Sequence, residues 1–375
     1  MILMAIDPRA KELAQILTGY SLDLGRNDVL LIRAEDKLHT FAEFLGKAAY
    51  ERGVDTVIYA FINLADRRAL IDRNDKEELG EEGARMSRLA EASTAALSVA
   101  MFTDPLYLKG IAPEKIADFD KLVSAPYSNR IVGNGKEFEG IKWVVAAYPT
   151  RGQARLAGMN FKNYKDFVYN STNIDWSNVS GEMKKVKETF DNASEVHITG
   201  PKTDIRFSLE GRGGDICDGR LNMPDGEVYY GPVEDSMNGR IYFPYECIVD
   251  GNSVKGISLE YVDGEVVSGT AEENQAFLDS KLAIDGAKRV GEFGIGCNYG
   301  IDRYTNRLLF DEKIGGTIHL AIGKSYPVPL EHGGGKNVSD IHWDLVCDLR
   351  KVKGMEGGRI FVDDELVQEN GIWNF

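Results

Sequence analysis

The chain has 375 residues, 43% of them hydrophobic and 27% charged; that balance excludes disordered, collagen-like and disulfide-scaffold proteins, and the length favours two domains. With 59 acidic against 44 basic residues the net charge is −15 and no Lys/Arg cluster breaks it, so nucleic acid is excluded as an expected partner and cationic ligands, a divalent metal or a peptide ammonium, are favoured. Cys217, Cys247, Cys297 and Cys347 form no CxxC pair, which argues against a zinc ribbon or dithiol redox site and for buried reduced thiols.

The opening run Met1–Ile6 meets Asp7-Pro8 at once, too short for a signal peptide, and no stretch approaches about 18 apolar residues. No membrane partner is therefore expected, and the cytoplasm is the expected location. Helical periodicity over Arg9–Gly19 is followed by the strand run Val29–Ile32, a helical stretch His39–Arg52 and the strand run Thr56–Tyr59. Further helices are predicted around Lys76–Met101 and Asn163–Asn170. Such alternation reads as βαβ units, hence an N-terminal α/β domain, residues 1–190, with a mostly parallel sheet. Gly133-Asn134-Gly135 and Gly294-Ile295-Gly296 lack the third glycine of a dinucleotide fingerprint, and GxxxxGK[ST] is absent.

From about Ser194 short β-rich runs take over: Val196–Thr199, Ile205–Leu209, Arg240–Phe243, and Gly256–Val262 with Gly264–Ser268. The last two predict a hairpin across Asp263-Gly264, because Asp-Gly supports the positive φ angles of a type I′ turn. One helix, about Glu272–Val290, carries an apolar stripe of Phe277, Leu278, Leu282, Ala283 and Ala287. Residues 191–375 thus form a β-rich, α+β domain that completes an α/β protein.

Chemistry concentrates in this second half. Of five histidines, His319, His332 and His342 fall within 24 residues. In His342-Trp343-Asp344 the first and third side chains project to one face of a strand, so imidazole and carboxylate can grip one site, although a structural His–Asp pair fits the same spacing. His319 lies in the β-type run Gly315–Gly323, where a core histidine is the plain alternative. Glu227 and Glu292 begin turn-rich or glycine-rich segments; glycines after Glu292 let the backbone come close to a ligand or another strand. Neither HExxH nor GxSxG is present, which removes ordinary zincin and serine-hydrolase chemistry.

Four blocks, Asn222–Asp235, Gly291–Asn298, Asp311–Pro327 and Gly334–Arg350, closely resemble the aminopeptidase T family, which includes the aminopeptidase S enzymes. They occur in family order; the N-terminal half is similar mainly in α/β pattern and length. Where the family often has Thr-Glu before the first ligand, this chain has Asp225-Gly226. The resemblance implies a metalloaminopeptidase with two divalent metal ions per subunit, Zn²⁺, Co²⁺ or Mn²⁺, held by Glu227, Glu292, His319, His342 and Asp344. It further implies Tyr326 aimed at the reacting carbonyl, short peptides with a free N-terminus as substrates, and a homodimer enclosing the active sites. Within that ligand set, Glu292 is the expected bridge, with Glu227 and His319 on one ion and His342 and Asp344 on the other. The base is left open between the bridging Glu292 and an acid outside the set, Glu234 or Asp235. Two other readings use the same ligands: a dinuclear hydrolase of another amide or ester, and a non-catalytic metal- or peptide-binding protein.

Overall fold

The computed structural model describes residues 7–99, 102–133, 139–249, 252–352, 354 and 356–375. The expectations placed on Met1–Ile6, on Ala100 and Met101 and on Asn134-Gly135 lie outside the described residues. Contacts divide the chain into two units, Met1–Ile174 with Gly219–Pro224, and Asp175–Asp218 with Asp225–Phe375.

Among the described residues the first unit holds a five-stranded sheet ordered Thr56–Ile62, Val29–Glu35, Ala95–Val99, Lys142–Ala146, Asn222–Met223, with every pairing parallel. Helices such as His39–Glu51 and Lys76–Glu91 cross between strands, as parallel connections require. The helix expected as far as Met101 ends at Glu91, and Ala95–Val99 is a central strand instead. Short apolar runs are ambiguous by periodicity, and this one is sandwiched between two partner strands that bury it.

The second unit begins earlier than residue 190. Helix Trp176–Phe190 has an apolar stripe whose Met183, Val186 and Phe190 join the second unit's core. The textural change at Ser194 marks a switch of secondary structure rather than of packing. The short strand Asn222–Met223 returns to the first unit, where it pairs with Val145 and Ala146.

Two sheets build the second unit among the described residues. One has eight strands and includes the antiparallel set Asn238–Val249, Asn252–Val262 and Glu265–Glu273. The expected hairpin is present, with Asp263 at φ +48° and Gly264 at +78°. The other is an antiparallel sheet ordered His342–Asp348, Thr317–Gly323, Val290–Gly296, Glu227–Tyr230, Asp215–Cys217. A single apolar core draws side chains from both sheets, Ile198, Phe207 and Leu259 from one and Phe293, Leu320 and Leu345 from the other. The helix expected over Glu272–Val290 shrinks to Gln275–Leu282. Gly286 takes a left-handed φ of +72°, which no helix continues through, and Val290 already opens the next strand.

Candidate metal centre

Strand alternation separates two chemistries on the five-stranded sheet. Val228, Phe293, Ile295, Ile318, Leu320, Trp343 and Leu345 point into the core, so the residues between them occupy the opposite face. That face carries Glu227, Glu292, His319, His342 and Asp344. Register then brings them together: Glu292 lies opposite Ala321, which lies opposite Asp344, while Gly294 lies opposite His319, Gly296 opposite Glu227, and Gly323 opposite His342. The residues between the ligands are small. A Cβ added to Gly294 would stand 1.9 Å from Cε1 of His319, so the imidazole fills the room that a side chain there would take.

Nε2 of His319 is 2.8 Å from Oε1 of Glu292, 3.8 Å from Oε2 of Glu227 and 4.0 Å from Oδ1 of Asp344. Nε2 of His342 is 3.4 Å from Oδ1 of Asp344 and 3.7 Å from Oε2 of Glu292. Two triads result, Glu227–Glu292–His319 and Glu292–His342–Asp344, with the candidate ligand atoms of each within 4.8 Å of one another. Glu292 is common to both. All five residues named on the sequence converge at one place; His332, in contrast, is exposed in a short 3₁₀ turn.

Main-chain carbonyls orient both imidazoles. Nδ1 of His319 donates to the Glu312 carbonyl at 3.1 Å and Nδ1 of His342 to the Lys324 carbonyl at 2.7 Å, which turns both Nε2 atoms toward the carboxylates, the arrangement typical of metal-binding histidines. Burial works to depress His319, but Glu292, Glu227 and Asp344 outweigh it and push its pKa up to about 10. His342 follows the same balance, burial against Asp344 and Glu292, and reaches about 9. Burial pushes the Glu292 carboxyl up. Asp344 experiences the same burial, yet His342 and His319 hold it below the usual carboxylate range. The buried carboxylates thus favour positive charge at the point where both imidazoles meet them. Oε2 of Glu227 and Oε2 of Glu292 are sealed from solvent with no hydrogen-bond partner among the described residues. Buried carboxylate oxygens in that condition, facing two oriented imidazole nitrogens, fit divalent metal ions of mixed oxygen and nitrogen preference.

Tyr326 stands at the rim, 43% exposed. Its ring centroid is 5.3 Å from that of Tyr229 and 5.3 Å from that of His342. Burial and the charges of Glu292, Glu227 and Asp344 push its phenol far above the usual range, so it stays protonated as a donor. Of the two further acids considered as a base, Glu234 is engaged by Arg212 at 2.8 Å and by the Lys336 amide at 2.7 Å, and Asp235 is exposed.

Sequence reasoning missed a buried ionic layer next to this centre. Lys313, fully buried, places its ammonium against Glu312, 3.5 Å from Oε1 of Glu227 and 3.9 Å from Oδ1 of Asp225. The ammonium engages one oxygen of Glu227 and leaves Oε2 facing His319. Burial pushes Glu312 up to about 7 against the opposing charge of Lys313. The departure Asp225-Gly226 belongs to this layer: Asp225 is fully buried, and its carbonyl accepts from the Asn298 side chain at 2.8 Å. A charged pair such as Glu312-Lys313 ordinarily marks a solvated turn, so no periodic signal exposes its burial.

Comparison with known proteins adds four findings. The family described as thermophilic metalloprotease (M29) matches residues 6–373. Aminopeptidase 2 of Geobacillus stearothermophilus is 23% identical over 89% of this chain and 90% of its own length. Among solved structures, wild-type AmpT from Thermus thermophilus superposes with a TM-score of 0.80 at 22% identity, over 98% of this chain and 99% of that one. A 2,5-dihydroxypyridine dioxygenase from Pseudomonas putida KT2440 shares the fold more loosely, with a TM-score of 0.60 at 12% identity over 97% and 96% of the two chains. Fold alone therefore leaves the chemistry open.

Proposed function

This chain belongs to the thermophilic metalloprotease (M29) family, and from that membership we propose that it releases the N-terminal residue of short peptides at a pair of divalent metal ions. It is a metal-dependent aminopeptidase, in keeping with the activity named for its relatives. The observation that carries the dinuclear reading is the sharing of Glu292 between two triads. Glu227 and His319 would hold one ion, His342 and Asp344 the other, and Glu292 both. The mixed donor set accepts Zn²⁺, Co²⁺ or Mn²⁺. When bound, such ions supply Lewis acidity and a water acidic enough to attack at neutral pH.

The chain's own residues do the rest. The protonated Tyr326 hydroxyl donates to the oxyanion that develops on the scissile carbonyl, an interaction stronger in the transition state than in the ground state. Glu292, the carboxylate common to both triads, is assigned the proton that passes from the attacking water to the leaving amine. Surplus acidic charge around the centre attracts the ammonium of a free N-terminus. A homodimer that encloses the sites and admits only short peptides completes the reading.

Metal analysis with a substrate panel tests it. Two ions per chain, loss of turnover on chelation, recovery on adding Zn²⁺, Co²⁺ or Mn²⁺, and release of a chromogenic amine from an unblocked aminoacyl anilide but not from its N-acetylated form are expected. One ion per chain would overturn the dinuclear reading, and equal turnover of the blocked substrate would replace the exopeptidase with a general amide hydrolase. Sedimentation velocity checks the dimer.

A further inference from the structure

The parallel sheet of the first unit contains a switch point. The chain leaves strand Val29–Glu35 to pair Thr56–Ile62 on one side and later returns to pair Ala95–Val99 on the other. In such sheets ligands settle in the crevice outside the carboxyl ends of the strands, where the winding reverses. Two adjoining cavities, about 330 and 300 Å³, run from this place along one face of the sheet: both are lined by Arg33, Ile62 and Arg67, and the second also by Ser98 and Val99 and, toward the amino ends of the strands, by Ala96 and Trp143.

Arg33 is an odd residue to find there. In register it lies between Ala60 and Ser98, two small side chains that leave its guanidinium room beside them. Its Cζ sits 5.0 Å from the Tyr127 ring, and that of Arg67 sits 4.6 Å from the Phe119 ring. Nε of each is sealed from solvent with no acceptor among the described residues. Three acids line the first cavity, but Glu78 is taken by Arg73 and Glu82 by Arg85, and among the described residues Asp66 forms no ion pair with either of these half-buried arginines. Burial pushes Arg33 below its usual pKa, with the charge of Arg67 acting in the same sense. A guanidinium cannot shed its proton to escape such a site. Ring stacking returns only part of the desolvation cost. Arg67 bonds the Tyr107 hydroxyl, but among the described residues neither arginine pairs with a carboxylate, so in a chain of net charge −15 both are left without what a guanidinium edge matches best, a planar or tetrahedral oxyanion.

We propose that this crevice is a binding site for a small organic oxyanion, a carboxylate or phosphate head gripped by Arg33 and Arg67 on an apolar body that packs against Ile62, Val99 and Trp143. The combined space is of the size that holds a small ligand. The proposal does not rest on the peptidase reading, since every residue in the site belongs to the first unit.

Thermal melting of the full chain tests the proposal with 3-phenylpropionate, phenyl phosphate and inorganic phosphate as probes. At least one organic probe is expected to raise the Tm of the wild type, and the larger rise of the two identifies the preferred head. Arg33→Met is expected to weaken that probe's binding by at least about tenfold, since a charge-assisted hydrogen bond is lost. The same variant is expected to melt above the wild type when no probe is present, because an apolar side chain of similar length removes a largely desolvated charge that has no carboxylate partner among the described residues. A purely structural arginine would give the opposite sign. The proposal is overturned if no probe raises the wild-type Tm, if wild type and variant respond equally, or if Arg33→Met lowers the melting point without a probe. Circular dichroism of the variant at 25 °C guards against misfolding. If Arg33→Met does not fold, Arg67→Met is measured in its place, with the same expected loss of response and the same overturning results.

Discussion

Each candidate ligand is fixed by contacts that its own sequence neighbourhood does not display. HxD spacing made His342 and Asp344 legible, because a period of two is a property of any strand, but which carbonyl would orient each imidazole depended on where Glu312 and Lys324 lie in space. Glu227 and Glu292 came from family resemblance, since a lone acid before a glycine carries no signal. Lys313 was invisible for a related reason: nothing in Asp311-Glu312-Lys313 distinguishes a buried ammonium from a solvated one. Two predictions belong at this scale. Tyr326→Phe is expected to lower kcat about 10²–10³-fold while leaving metal content unchanged, checked by steady-state kinetics beside metal analysis; unaltered turnover would remove Tyr326 from the reaction. Lys313→Met leaves Asp225, Glu227 and Glu312 facing one another without compensation. A loss of about 3–5 kcal/mol is expected, the usual cost of stripping one partner from a buried ion pair. Divalent metal added to the variant should restore part of it, as a cation takes the place of the ammonium. Denaturant unfolding with and without metal reads both effects.

At the scale of elements, the sheet works because its two faces obey different rules. Alternation in Glu227–Tyr230, Val290–Gly296, Thr317–Gly323 and His342–Asp348 sends aliphatic and aromatic side chains inward, and the same alternation lines up acids and imidazoles outside. A slip of one residue in any of these strands would turn the acids and imidazoles into the apolar core and Phe293 or Leu320 into the buried polar pocket, so register and the candidate site are specified together. The strands around the site, the Asp263-Gly264 hairpin and the first α/β alternations were legible, since each has a local period or turn chemistry. The overlong helices were not, because Ala95–Val99 and the stretch after Leu282 owe their conformations to neighbouring strands and to a left-handed glycine. Gly294→Ala tests the sheet directly. Its new Cβ would meet an imidazole pinned at both nitrogens, and a displacement of about 1 Å at a catalytic group can cost about 10²-fold in rate. Reduced metal content and kcat, with far-UV circular dichroism unchanged, is the expected pattern.

For the molecule as a whole, metal and fold are thermodynamically linked. Ions that bind the native centre and not the unfolded chain stabilise the protein, by about 2.7 kcal/mol at a free concentration one hundred times Kd, so chelation is expected to lower Tm and saturating metal to restore it. On the proposed dinuclear reading, His342→Ala is expected to drop the content from two ions per chain to one, held by Glu227, Glu292 and His319; retention of both would reassign the second triad. Composition and length anticipated a two-part α/β protein, but they could not say that helix Trp176–Phe190 packs with the second part. The modest side chains under the metal centre have a consequence for judging distant relatives. Gly294 clears the floor for an imidazole, and Ala321 separates two carboxylates by a single methyl group. A descendant that kept all five donors but acquired bulk at either spot would look intact on inspection and yet be a counterfeit, its coordinating groups pried apart from below.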